Sequence, residues 1–376
     1  MNKKILYIRN FASKVNPNSY NLQEIGFGKA LVRKGYDCDI IYYSDNNKQK
    51  IEEVYNYFNT SLRLIWMKGI KILSNSIYSQ ILNNKFLNQY DLIITTEYNQ
   101  LMTYLLSRLC PDKLILYHGP YEDHNNLLIR KTYDKLLLPH IRNKIRYNFV
   151  KSDLANGYLQ QKGFKNPFTL GVGLDRDKFE EKMHVNHEIE MEMNKINHKK
   201  TLLYVGVLED RRNIEFIMEV LRRLVTIDQS FRMIIVGEGK KEDKEKYWRF
   251  IYEHGLEDYI IHFSKVDQRF LWQVYFASDL MLFPTKYDIF GMVLLESLYF
   301  NVPIISSLNG GSSTLLKKDL KGIYVEDLDE QAWVNRILHI TNDLNTKEAM
   351  KSEQIVDNCS WDEIAEVMLK QIVPVS

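Results

Sequence analysis

The chain has 376 residues, 45% of them hydrophobic, with only 17 Gly and 8 Pro, which excludes a disordered polymer and exceeds one ordinary domain. No stretch approaches ~20 uninterrupted apolar residues, so a membrane-spanning helix is excluded. The net charge of +2 divides unevenly: residues 1–180 hold 26 Lys/Arg and 16 Asp/Glu (+10), leaving 24 and 32 (−8) for 181–376, so only the first half suits an anionic partner.

The opening run Lys3-Lys4-Ile5-Leu6-Tyr7-Ile8-Arg9 is basic but has no long apolar region, and reads as a first strand rather than a signal peptide. Strands are expected at Ile5–Arg9, Cys38–Tyr43, Leu92–Thr95, Leu114–Tyr117 and Tyr147–Val150. Helices are expected at Asn21–Lys34, Ile51–Phe58, Gln100–Leu109 and Leu154–Lys162, with Gly35 closing the first. Short β-rich runs alternating with helical segments imply a parallel sheet covered on both faces. In Ser61–Leu73, helical spacing puts Leu62, Ile65, Trp66, Ile70 and Leu73 on one face and Arg63, Lys68 and Lys71 along the other. That layout fits an interfacial membrane helix, or a core-packed helix with a basic edge. No helix-turn-helix, zinc-finger or aromatic RNA-binding pattern is present, so an anionic membrane surface is preferred to nucleic acid.

Residues 176–200 are mostly charged and polar and read as a linker between a first domain, 1–175, and a second, 201–360. Strands then follow at Thr201–Val205, Arg232–Val236, Tyr259–Phe263, Leu280–Pro284, Pro303–Ser306 and Gly322–Val325. Helices follow at Asn213–Val225, Lys240–Glu253, Gln268–Phe276 and Gly291–Phe300. Two doubly wound domains fit this better than one large sheet. Ligands of such sheets bind at the carboxyl ends of the strands, so the cleft between the domains is the expected site. Cys38, Cys110 and Cys359 are far apart and odd in number, which points to a reducing, cytoplasmic compartment.

The most informative run is Phe283-Pro284-Thr285-Lys286-Tyr287-Asp288-Ile289-Phe290-Gly291-Met292-Val293-Leu294-Leu295-Glu296. An acid in the loop and one on the helix, eight positions apart, can face the same cleft. The amides of Phe290, Gly291 and Met292 lie at the helix start, where they can hold an anion. Acid, free amides and second acid together suit a sugar–diphosphate–ribose ligand. A second run, Val205-Gly206-Val207-Leu208-Glu209-Asp210-Arg211-Arg212-Asn213, places cations at the sheet's ligand edge, where a guanidinium can neutralise a departing diphosphate.

The acid pair, its flanks Ala277-Ser278-Asp279-Leu280 and Pro303-Ile304-Ile305, and the pair Gly310-Gly311 resemble the retaining GT-B glycosyltransferases of family 4. The resemblance covers nearly the whole chain. It implies two Rossmann-like domains facing across a cleft, a nucleotide diphosphate sugar as donor, and no essential metal or cofactor. Arg212 falls on the family's Lys position, whereas Val207 stands where an Arg is usual, leaving Arg211 as its substitute. Asp288 stands where the family has Glu and is implied to bind the sugar, and Glu296 to bind the ribose. His118, at the end of Leu114-Ile115-Leu116-Tyr117-His118-Gly119, is implied to contact the donor sugar, and Val266 to lie by the base. Val236-Gly237-Glu238-Gly239 matches a Gly-x-Gly turn that tight backbone geometry alone explains. Val15–Tyr20 departs from the family's Gly-Gly loop and leaves the acceptor open. The closing helix, 361–374, is implied to return to the first domain.

The implied activity is retaining sugar transfer to a saccharide or membrane-linked acceptor, in cell-surface polysaccharide or glycolipid synthesis, at the inner membrane face. Three alternatives stand beside it: a catalytically silent partner subunit, a nucleotide-sugar epimerase of the same fold, and a transferase acting on soluble proteins or metabolites.

Overall fold

The computed structural model describes residues 2–17, 22–123, 127–176, 184–316, 324–325, 327–342 and 359–372. The chain divides into two compact units, Met1–Gly173 with Asn358–Ser376, and Leu174–Asp357. Each unit holds one Rossmann-like sheet, as the resemblance to the GT-B fold implies.

In the first unit the strands are β1 (Lys4–Ile8), β2 (Asp37–Ser44), β3 (Lys50–Tyr57), β4 (Thr60–Lys68), β5 (Ile70–Ile72), β6 (Asn75–Ile77), β7 (Leu92–Thr96), β8 (Leu114–His118), β9 (Tyr147–Val150) and β10 (Phe168–Thr169). The main sheet runs β10-β9-β8-β7-β1-β2-β4-β3, parallel except for the antiparallel edge strand β3. Its central strands are apolar on both faces, since helices cover both: Ile5, Leu6 and Ile8 of β1 are wholly buried. Strand order reverses between β1 and β7, where such folds open their ligand crevice.

Two expectations fail here. Ile51–Phe58 is the strand β3 rather than a helix, and Ser61–Leu73 is largely β4 and β5 rather than an amphipathic helix. Cross-strand pairing decides it. In register with β2, the Arg63 guanidinium grips the Asp39 carboxylate through two 2.7 Å hydrogen bonds, and Trp66 stacks on Tyr42 at 5.1 Å. Leu62 and Leu64 alternate into the core, a period of two that the helical stripe concealed. The interfacial helix is therefore withdrawn.

In the second unit β11 (Lys200–Val205), β12 (Phe231–Val236), β13 (Ile260–Phe263), β14 (Leu280–Phe283), β15 (Ile304–Ser306) and β16 (Tyr324–Val325) form one parallel sheet, ordered β13-β12-β11-β14-β15-β16. Here the order reverses between β11 and β14. Of the expected strand Gly322–Val325, residues 322–323 lie outside the described residues. Within the stretch read as linker, Asn186 caps a helix His187–Lys195 by accepting from the amides of Glu188 and Ile189; residues 177–183 are not described.

Most of the closing helix lies in the described part, as Trp361–Ile372, and it packs on the first unit. Asp362 accepts two 2.7 Å bonds from Arg33, and the Trp361 ring lies 5.2 Å from Phe27. Among the described residues no helix is long and apolar enough to cross a membrane.

Candidate functional site

The loops after β11 and β14 flank the reversal point of the second sheet and are knitted together. Asn213 takes a left-handed conformation, φ 53°, at the start of the helix Ile214–Ile227, and its side-chain Nδ2 donates to Pro284 O at 2.5 Å. Lys286 N donates to Arg211 O at 3.2 Å. This seating turns Arg212 inward and Arg211 outward. Arg212 Nη1 donates to Asp288 Oδ2 at 2.6 Å and to Thr285 Oγ1 at 3.3 Å, and its guanidinium lies 5.7 Å from the Phe283 ring centre. Its Nε is buried with no hydrogen-bond partner, the Glu209 carboxylate being 3.8 Å away. Arg211 instead meets Glu209 at 2.6 Å and Tyr287 O at 3.0 Å, so it braces the loop from the more exposed side.

Asp288 corrects one expectation. Its Oδ1 accepts from Phe290 N at 3.0 Å and Gly291 N at 2.7 Å, so two amides assigned to an anion are taken by the chain's own carboxylate. The reason is the capping preference of Asp, whose short side chain reaches amides two and three residues on. Met292 opens the helix Met292–Tyr299 directly after them. Gly291, φ 70°, makes this turn possible, since a Cβ there would be strained and 3.0 Å from the Phe283 ring. Gly310 and Gly311 press on the same loop: a Cβ on Gly310 would lie 2.0 Å from Ile289 O, and one on Gly311 1.7 Å from Phe290 O. Gly310 N donates to Asp288 O at 3.0 Å.

Glu296 sits apart from Asp288 in character. It is wholly buried on its helix, accepts from Tyr275 Oη at 3.1 Å, and burial pushes its carboxyl well above the usual carboxylate range. The two acids thus divide into one ion-paired at the loop surface and one enclosed, rather than two equivalent acids on one open face. Val266 lies half-buried in the loop after β13, on the same carboxyl edge of the sheet. Gly237 serves close approach between loops, a Cβ there falling 1.8 Å from Gly206 O.

In the first unit His118 ends β8 and is wholly buried. Its Nδ1 lies 2.8 Å from Glu97 Oε2, a residue missed by sequence reasoning. Gly119 N also donates to Glu97 Oε2, at 3.2 Å. Burial pushes the Glu97 carboxyl up, but the His118 imidazole, the Lys151 ammonium and the Gly119 amide more than offset it and hold it below its ordinary range. Glu97 pays for this placement with φ 57°, rare for a residue other than Gly, Asn or Asp.

Behind the imidazole stand Tyr158, stacked at 5.9 Å, and Tyr98 at 5.3 Å. Both phenols accept from Arg130, which also meets Asp123 at 2.9 Å. His118 Nε2 is left buried without a hydrogen-bond partner. Arg212 Nε and His118 Nε2 are among the buried nitrogens without a hydrogen-bond partner, and each is chemically fitted to an oxygen of a bound molecule.

Known proteins share both sequence and fold with this chain. Residues 186–357, which lie within the second unit, match the family model described as "Glycosyl transferases group 1". An uncharacterized glycosyltransferase of Methanocaldococcus jannaschii is 25% identical over 206 residues, 53% of this chain and 50% of that protein. A D-inositol 3-phosphate glycosyltransferase of Xylanimonas cellulosilytica is 22% identical over 172 residues, 45% of this chain and 40% of that protein. The chain thus spans half or less of the length of these curated relatives. Among solved structures, Anabaena Alr3699/HepE in complex with UDP and glucose superposes with a TM-score of 0.70 at 13% identity, covering 99% of this chain and 100% of that one; this likeness shows the fold.

Proposed function

We propose that this chain, whose second unit matches the group 1 glycosyltransferase model, transfers a sugar from a nucleoside diphosphate sugar to an acceptor hydroxyl. The observation that carries the reading is Arg212, a guanidinium fixed at the reversal point of the second sheet with its Nε buried and unpartnered. A phosphate oxygen satisfies that donor and shares the guanidinium charge with Asp288. The complex of Anabaena Alr3699/HepE with UDP and glucose supports the choice of a nucleotide as ligand.

In this reading the bond from the anomeric carbon to the diphosphate breaks as the acceptor oxygen bonds to the same face, with retention. The acceptor proton passes to the departing phosphate oxygen, so no protein base is required, and Arg212 stabilises the charge that builds there. Asp288 holds Arg212 in place and is assigned to sugar hydroxyls when the donor enters. His118 offers Nε2 to a substrate hydroxyl, and Glu97 is the positioning residue that fixes its ring. Glu296 is assigned to the ribose hydroxyls, Met292 N to the diphosphate, and Val266 to the base. No metal or other cofactor is called for. The acceptor is proposed to be a saccharide or lipid-linked saccharide of the cell surface, met on the cytoplasmic side, where the buried free thiols of Cys38 and Cys110 fit a reducing compartment.

Calorimetry with UDP, GDP and their sugars, followed by donor hydrolysis, tests the reading. Binding with slow donor hydrolysis is expected, and Arg212→Ala should lower turnover by about 10² or more, as for loss of one preorganised donor. Tight nucleotide binding with no hydrolysis or transfer would favour the silent partner subunit, and absence of any nucleotide binding would refute the reading.

A further inference from the structure

The outer face of the helix Leu127–Leu136 is apolar where a surface helix should be polar. Leu128, Ile129 and Leu136 are 74%, 55% and 66% exposed. The opposite side of the helix is the buried one, with Arg130 and Tyr133 tied into the cluster behind His118. Positions 128, 132 and 136 repeat every fourth residue, so the exposed side chains form one stripe. With Tyr133 and Leu137 they line an open groove of about 440 Å³.

The surroundings of this groove are positive. Residues 127–151 carry seven Lys/Arg against one acid, Asp134, and that acid is already engaged by Lys162 at 2.7 Å and Arg130 at 3.5 Å. Lys131 and Lys135 flank the stripe on the helix itself, and Lys144 and Arg146 follow within a few residues, all four exposed. Apolar side chains standing out of a basic field match the two layers of an anionic bilayer, acyl chains beneath phosphate headgroups. A folded protein partner fits less well: six residues line the groove, against the roughly 20–30 a side of a standard interface.

We infer that this face seats the first unit on an anionic lipid surface, with Leu128, Ile129 and Leu136 entering the acyl boundary and Lys131 and Lys135 meeting headgroup phosphates. The surface differs from the withdrawn Ser61–Leu73 segment, whose apolar side chains Leu62, Leu64 and Ile65 are in the core. The inference stands whether or not Arg212 serves a phosphate.

Flotation of the full chain with vesicles of phosphatidylglycerol and phosphatidylcholine, against phosphatidylcholine alone, tests it at low and at physiological salt. Binding to the anionic vesicles is expected, weakening as salt rises. A Leu128→Ser/Ile129→Ser/Leu136→Ser variant should bind at least about tenfold more weakly at low salt, since it forfeits the inserted methylenes. Lys131→Gln/Lys135→Gln should flatten the salt dependence. Because these side chains are exposed, thermal unfolding of both variants should match the parent. As a separate readout, Leu128→Trp should show blue-shifted emission on adding anionic vesicles. Equal flotation of the Ser variant, no flotation at low salt, or a solution dimer dissolved by the same Ser substitutions would each overturn the proposal.

Discussion

Two carboxylates illustrate how burial alone does not set ionisation. Glu97 and Glu296 are both enclosed, yet Glu97 faces His118 and Lys151 and stays below its ordinary range, whereas Glu296 faces a phenol and is pushed well above it. Their contributions to stability therefore run in opposite directions with pH. The raised Glu296 contributes below the ordinary carboxylate value near 4.5 and loses that contribution as pH rises toward its shifted value. Glu296→Gln, which keeps an acceptor for Tyr275, should unfold at a higher temperature than the parent at pH 8, with the gap closing toward pH 4. A gap independent of pH would mean that the carboxyl is not the cause. The depressed Glu97 contributes above its ordinary value and loses that contribution as pH falls through the shifted one. Glu97→Gln should remove this acid-side term and also lower turnover by up to about 10²-fold, as misplacing a positioned group can. Nucleotide affinity should be unchanged, a separation that a merely structural role would not give. Glu97 was invisible in the sequence because Thr95-Thr96-Glu97-Tyr98 carries no motif, and its partner lies 21 residues away across a strand pair.

At the level of elements, the second sheet was legible almost strand by strand, because each strand is an apolar run bounded by turns and separated by a helix of strong period. The hairpin β3–β4 was not. Leu62, Ile65 and Trp66 satisfy a helical stripe while Leu62, Leu64 and Trp66 satisfy an alternation, and only pairing with Asp39 and Tyr42 separates the two. The loop before the helix Met292–Tyr299 was half legible: its position was evident, but an Asp three residues ahead of Gly291 is itself a capping signal, and that signal locates the amides' true partner. The glycines supply an element-level test. Gly310→Ala drives a methyl against Ile289 O, 2.0 Å from the ideal Cβ, and should displace the Asp288 loop, weakening nucleoside diphosphate binding by about tenfold or more. Gly157→Ala is the contrast. It lies within the helix Asp153–Gln161 with nothing within 4 Å of its Cβ, and should stabilise the protein by roughly 0.5–1 kcal/mol. If both substitutions behave alike, backbone contact is not what holds the Asp288 loop.

Over the whole molecule, each unit has its own core, one built on Leu6, Ile41, Ile93 and Leu116, the other on Leu202, Met233, Ile235 and Leu282. The last helix makes the first unit discontinuous in sequence: Trp361, 2% exposed, covers Gly26 and Phe27, and Arg33 and Lys34 pair with Asp362 and Glu366. A side chain on Gly26 would sit 2.5 Å from the Trp361 ring, so that glycine and that tryptophan are one fitted contact. Residues assigned to the nucleotide all lie in the second unit, whereas this contact belongs wholly to the first. Trp361→Ala should therefore cost about 3–5 kcal/mol, the range for emptying a large buried aromatic site, and the loss should fall on one core. Urea unfolding followed by hydrogen exchange should show β1 and β2 amides losing protection early while β11 and β14 keep theirs. Nucleotide affinity measured below that first transition should match the parent. Equal loss of protection in both sheets would mean that the two cores unfold as a single cooperative body, and that stability, unlike chemistry, is not divided between them.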